Sequence, residues 1–231
     1  MYLVTGASGG IGKRVVAELL KRDEVVIGLY GSNYPGSLEG AHLIKYDLSN
    51  GPAIFADPLL NTALMKNAPI NLIHLAGLTV NASMSTLSFA DLHQQFKVNC
   101  TGVLEIVSRL WPRMKEQRYG RLIFVSSVVA HRPVFGALGY SVTKSAMEGM
   151  VRGLLPEGVR HNILPFGIGL GYTEYGMIEK VPEEHQTALK KTIPLGRFGN
   201  FKEVMNSIDF LIDTPYMAGQ TLHLNGGLHL A

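Results

Sequence analysis

The sequence is short of several things. Its 231 residues include one cysteine, one tryptophan and only 17% charged side chains. A single cysteine excludes a disulfide framework and a multi-cysteine metal centre, and it suits a reducing compartment. No metal site is expected. Lys+Arg 21 against Asp+Glu 18 leaves +3, too small and too dispersed for a nucleic-acid surface. No uninterrupted apolar run approaches the roughly 20 residues of a membrane span. No basic segment followed by an apolar one opens the chain as a secretory signal would. Repeats, low-complexity tracts, charge blocks and linkers are also missing. What is there is 46% hydrophobic residues and 26 glycines. That apolar share excludes a disordered chain and can fill one core. The expectation is a single cytoplasmic domain over residues 1–231, with no nucleic-acid or membrane partner.

Short apolar runs alternate with longer helical patterns. The runs fall at 2–4, 25–30, 42–46, 71–75, 121–125, 159–164 and 221–224. Several are rich in Val, Ile and Leu without polar alternation, as strands buried on both faces should be. Helical patterns fall at 10–22, 89–116, 139–155, 173–191 and 202–213. Pro112 is expected to kink or end the second. Pro52 and Pro58 blur the stretch 49–68. The alternation predicts an α/β fold: a Rossmann-like, doubly wound parallel sheet of about seven strands with helices on both faces.

The first strand runs into Thr5-Gly6-x-x-x-Gly10-x-Gly12 and then an amphipathic helix. Gly6 can permit a tight turn. Gly10 and Gly12 let backbone, ligand and sheet approach closely. N–H groups at the helix start, with its dipole, favour a pyrophosphate.

This turn resembles that of the short-chain dehydrogenase/reductase family, and the resemblance extends over essentially the whole chain. Tyr140-Ser-Val-Thr-Lys144 is similar to the family's YxxxK motif, and Ser127 lies thirteen residues before Tyr140, where its catalytic serine is expected. Asn99 matches the helix asparagine, and Asp47 the acidic residue that contacts adenine. Leu75-Ala-Gly77 resembles the end of the NNAG motif, whose first two asparagines are replaced by His74 and Leu75. Pro194-Leu-Gly-Arg-Phe-Gly199 and Asn225-Gly-Gly227 resemble the closing signatures. The pattern is most similar to the classical 3-oxoacyl-acyl-carrier-protein reductases. Gly9 and Gly10 together also satisfy the spacing of the extended, sugar-nucleotide branch.

The resemblance implies an NAD(P)-dependent carbonyl reductase or alcohol dehydrogenase whose catalytic set is Asn99, Ser127, Tyr140 and Lys144. It puts the cofactor against Gly6, Ser8, Gly9, Gly10, Ile11 and Gly12 of the turn. Further contacts are Ser32 and Asn33 after the second strand, Asp47 and Leu48 after the third, and Ala76 and Gly77 after the fourth. Tyr140, Lys144, Gly167 and Thr173 complete the nicotinamide side. Tyr140 and Lys144 are four apart, hence on one helix face. A free tyrosine has a pKa of about 10; lowering it by roughly 3 units takes about 4 kcal/mol. An ammonium at about 4 Å in a shielded site supplies interaction of that order. Tyr140 is then the general acid or base, and Ser127 stabilises charge on the carbonyl oxygen. The resemblance gives Lys144 the nicotinamide ribose and Asn99 a water in a proton relay.

The second strand ends Gly28-Leu-Tyr-Gly-Ser-Asn33, without the acid that selects NAD. Ser32 and Asn33 can bind a 2′-phosphate, with Lys13 or Arg14 offering charge, so NADP(H) is expected over NAD(H). A substrate loop is expected at about 167–192, hinged by Gly167, Gly169, Gly171 and Gly176. Its substrate is a small carbonyl or alcohol, which can be carrier-protein-bound; Arg118 would serve as a docking point. A homotetramer or homodimer is expected from the family. Two other readings stand beside this one: an extended-type enzyme acting on a sugar nucleotide, and a non-catalytic dinucleotide sensor.

Overall fold

The computed structural model describes residues 1–36, 38–49, 57–65 and 68–231. Seven strands form one parallel sheet: β1 (Tyr2–Thr5), β2 (Val26–Tyr30), β3 (His42–Lys45), β4 (Asn71–His74), β5 (Gly120–Ser127), β6 (Ile163–Leu170) and β7 (Thr221–Leu224). Their order is β3-β2-β1-β4-β5-β6-β7. The chain therefore winds one way from β1 to β3 and the other way from β4 to β7. Such a reversal opens a crevice at the carboxyl ends of β1 and β4.

Alternate side chains of the central strands feed two cores. Leu3, Leu29, Leu72, Leu122 and Phe124 face α2 (Pro58–Met65), α4 (Gly102–Gln117) and α5 (Leu138–Gly158). Val4, Ile73, Ile123, Val125 and Ile168 face α1 (Gly10–Leu20) and α7 (Phe201–Asp213). In α1 the buried residues are Gly12, Val15, Val16 and Leu19, one stripe at helical spacing. In α7 Asn200 and Glu203 form a reciprocal cap: the Asn200 side chain accepts from Glu203 N–H, and the Glu203 carboxylate accepts from Asn200 N–H. α2 starts with Pro58 after Asp57, whose carboxylate accepts from Leu60 N–H at 3.1 Å. Pro52 lies outside the described residues.

Three expectations are corrected. Pro112 does not end its helix: α4 runs through it to Gln117. Pro112 and Ser108, whose carbonyl loses its donor, are both exposed, so water can satisfy the group. The long pattern at 89–116 is instead interrupted at 97–101, where α3 (Phe89–Phe96) passes through a π-turn, Lys97–Thr101, into α4. The sixth strand is not 159–164; residues Val159–His161 form a 3-10 turn and the strand runs Ile163–Leu170.

That last difference has a clear cause. Pro165, Gly167 and Gly169 read as loop residues, yet they lie in a fully buried strand. The glycines make room for β7. A Cβ on Gly167 would collide with Thr221, and one on Gly169 would lie 2.5 Å from His223 Nδ1. A Cβ on Gly171 would lie 2.7 Å from Asn225. Gly167 pairs with Thr221 and Gly169 with His223, so the i, i+2 glycines meet i, i+2 side chains across the ladder.

Candidate active site

The crevice at the strand reversal holds a cavity of about 360 Å³, within the range of small-molecule sites. Gly6, Ser8 and Gly9 of the turn line it, with Ser32 and Asn33 after β2, Asp47 and Leu48 after β3, and Ala76 and Gly77 after β4. Gly6 has φ +71, and a Cβ there would lie 2.6 Å from Ala76 N. Only glycine allows the turn to approach β4 so closely. A Cβ on Gly12 would collide with the Gly6 carbonyl, so Gly12 seats the helix on the turn. Asp47 caps its own turn, accepting from the Ser49 N–H at 2.9 Å and hydroxyl at 2.7 Å. Leu78, from the segment after β4, also lines the cavity, as do Gln94 and Val98, which were not anticipated. The four-residue spacing of Gln94 and Val98 puts them on one helix face, which is the only signal the sequence offered.

Beyond the cavity, the carboxyl end of β5 carries Ser127, and α5 presents Tyr140 and Lys144 to it. The Ser127 hydroxyl lies near enough to Tyr140 to oppose the rise of the phenol's pKa and accepts from Val129 N–H at 3.4 Å. Lys144 donates to the Val125 carbonyl at 2.7 Å, and its nitrogen sits 5.5 Å from the Tyr140 ring centre. Asn99, in the π-turn, is fully buried. Its side-chain oxygen accepts from Leu78 N–H at 2.7 Å, and its NH2 donates to the Leu78 carbonyl and the Thr143 hydroxyl, each at 2.9 Å. A Cβ on Gly77 would lie 3.6 Å from Lys144 Nζ and 3.8 Å from Asn99 Oδ1. The four sequence-selected polar residues thus gather on one side of the crevice.

Their electrostatics depart from expectation. Burial lowers Lys144 to about 8. Burial raises Tyr140 to about 12, opposed only by Ser127. The expected depression of the phenol by Lys144 is absent, because the ammonium is turned to the Val125 carbonyl.

A family model for the short chain dehydrogenases matches residues 1–186. This chain is a short-chain dehydrogenase. A 3-oxoacyl-acyl-carrier-protein reductase of Aquifex aeolicus is 30% identical, over 98% of this chain and 96% of its own length. Among solved structures, the aldohexose dehydrogenase of Thermoplasma acidophilum superposes with a TM-score of 0.89 at 20% identity, covering 100% of this chain and 94% of that one. ElxO with NADP bound superposes at 0.86, with 20% identity and 100% coverage of this chain and 98% of that one. As a member of its family this dehydrogenase is an NAD(P)-dependent oxidoreductase.

The turn, the cavity and the neutral donors Ser32 and Asn33 fit the adenosine half of a dinucleotide. In this dehydrogenase the other half of the crevice is covered. Residues 171–182 fold across it. Ile178 is buried in a cluster with Tyr140, Val128, Val129 and Phe198. A Cβ on Gly10 would lie 2.5 Å from Glu179 Oε2 and 2.6 Å from Gly176 N. The loop therefore sets a carboxylate at the start of α1. Ile11 packs under it, 3.7 Å from where a Gly176 Cβ would be. Thr173 is buried and donates to the Tyr175 carbonyl at 2.9 Å.

Several expected contacts of the dehydrogenase are corrected. Gly167 and Gly169 are strand residues packed on β7, so neither is a hinge, and Gly167 does not reach the cavity; the loop begins at Gly171. Arg14 stacks on Tyr175, 3.6 Å from the ring centre, and donates to the Gly10 carbonyl at 2.8 Å. It is a loop anchor, and neither it nor Lys13 lines the cavity. Arg118 precedes β5 and Ser127 ends it. The eight-residue strand separates them by about 23 Å. A carrier docked on Arg118 of one protomer would face away from that protomer's site. Among the described residues no helix is long and apolar enough to cross a membrane.

Proposed function

We propose that the chain is a carbonyl reductase of the NADPH-using kind, with Tyr140 as the proton donor. One observation carries the reading: Ser127 faces the Tyr140 phenol at the carboxyl end of β5, near enough to favour its ionised form, with Lys144 one helical turn along. A carbonyl oxygen placed between the two hydroxyls would receive a proton from Tyr140 and a hydrogen bond from Ser127. The nicotinamide group, when bound, supplies hydride to carbon. Lys144, still mostly protonated at neutral pH, is a cation within reach of the phenol once released from the Val125 carbonyl. Its proximity would then oppose the burial that holds Tyr140 high. Asn99 braces the wall of the site through Leu78 and Thr143. Gly6, Ser8 and Gly9 would hold the diphosphate and adenosine side, with Asp47 at the adenine. Thr173 and Ile11 belong to the covered half.

NADPH is favoured over NADH by a modest margin. No acidic residue stands in the turn Gly31-Ser32-Asn33 directly after β2 to repel a 2′-phosphate. Ser32 and Asn33 offer neutral donors, while no Lys or Arg among the described residues lines the cavity. ElxO, a protein of the same fold, has NADP bound. The relative from Aquifex aeolicus favours a ketone of the 3-oxoacyl thioester type as substrate, and a homo-oligomer is expected with it. A panel of ketones and alcohols followed by NADPH absorbance tests the reading. Tyr140→Phe is expected to lower kcat at least a thousandfold while the NADPH Kd stays within about threefold. Near-normal turnover in that variant would refute the role of Tyr140. Tighter binding of NADH than of NADPH would reverse the cofactor preference.

A further inference from the structure

His74 stands where the resembled motif has its first asparagine, outside the proposed catalytic set. It ends β4, paired with Thr5 of β1 and Phe124 of β5, and it is fully buried. Its ring meets Phe124 edge-on, 6.3 Å between centroids. Both nitrogens are engaged: Nδ1 lies 2.8 Å from the Thr5 hydroxyl and Nε2 lies 3.3 Å from the Asn99 main-chain carbonyl. A carbonyl only accepts, so Nε2 carries the proton and Nδ1 accepts from Thr5. The Thr5 oxygen in turn accepts from Ala76 N–H at 3.2 Å. One neutral tautomer thus completes a chain of hydrogen bonds from the cavity rim to the π-turn. Burial and the nearby Lys144 keep the ring neutral, with its pKa pushed down to about 3.

The π-turn is the irregular part of an otherwise regular helix, and it carries Asn99. A side chain bonded into a helix's carbonyl ladder is a known cause of such irregularity. We propose that His74 is a positioning residue: by holding the Asn99 carbonyl it keeps the π-turn, and with it the Asn99–Leu78–Thr143 brace, in register with the nucleotide-binding edge. The inference rests on the oxidoreductase reading of the same site. An asparagine amide has the reach of Nδ1 and a glutamine amide that of Nε2. Asparagine at 74 would keep the Thr5 contact and lose the Asn99 one; glutamine would do the reverse.

The test uses the full chain. Nitrogen-15 NMR of the histidines between pH 4.5 and 9 should show His74, assigned from the signal lost in His74→Phe, as a non-titrating Nε2–H tautomer. His74→Phe should fold, bind NADPH within about threefold of the parent, and lose about tenfold in kcat with KM changed less than threefold. His74→Gln should recover most of that loss and His74→Asn should not. An Nδ1–H tautomer, or a titration of His74 between pH 5 and 8, would overturn the proposal. So would equal kcat values in the Gln and Asn variants, a comparison that stands even if His74→Phe does not fold. The tautomer is read without turnover, so an inactive parent protein would count against the proposed function and not against this placement.

Discussion

Replacing Lys144 by methionine should stabilise the fold while stopping the chemistry. The amine is buried, and burial lowers its pKa to about 8 from the ordinary 10.5 of a lysine. The folded state therefore resists protonation that the unfolded chain accepts. Below about pH 8 that resistance costs about 3 kcal/mol of stability. Between about pH 8 and 10.5 the unfolded chain binds the proton and the folded chain does not, so stability rises with pH and the penalty fades. Methionine has similar length and no charge. It removes the penalty but leaves the Val125 carbonyl without its donor, a loss of about 1 kcal/mol. The net gain at pH 7 is about 2 kcal/mol, which raises Tm by about 4–8 °C in a domain of this size. Near pH 10.5 only the missing hydrogen bond remains, and the variant should be slightly less stable than the parent. Tyr2, Tyr46 and Tyr140 are pushed up to about 12 by burial and destabilise both proteins above pH 10. They cancel in the difference. Thermal and urea melts of both proteins at pH 7, 8, 9 and 10.5 provide the comparison. A difference that does not change with pH, or a variant less stable at pH 7, would refute the reasoning.

Gly169→Ala should lower Tm by about 4–8 °C, about 2 kcal/mol of overpacking, because its Cβ would meet His223 Nδ1 at 2.5 Å. The double variant with His223→Ala should regain most of that loss in the same melt, and no recovery would mean the strain lies elsewhere. Glu179→Gln should tighten NADPH binding about two- to fivefold by titration calorimetry. It removes a carboxylate that favours the start of α1 by about 0.3–1 kcal/mol and holds the loop there. Unchanged or weaker binding would remove Glu179 from the nucleotide path.

The residue pattern by itself determined the alternation of strands and helices and the glycine turn, which rest on local rules: apolar strand runs, helical spacing and the small volume of glycine. Resemblance to the family's motifs, not those rules, pointed to Asn99, Ser127, Tyr140 and Lys144. Tertiary packing decided what those rules misread. Gly167 and Gly169 resemble loop residues until β7 lies beside them, because only Thr221 and His223 explain why a buried strand should lack side chains there. Arg14 resembles a phosphate contact until Tyr175 folds over it from 161 residues away. The Tyr140–Lys144 spacing places both groups on one helix face, but the Val125 carbonyl on β5 decides where the ammonium points. In each case the deciding partner comes from an element distant in sequence, and nearest-neighbour chemistry carries no information about it.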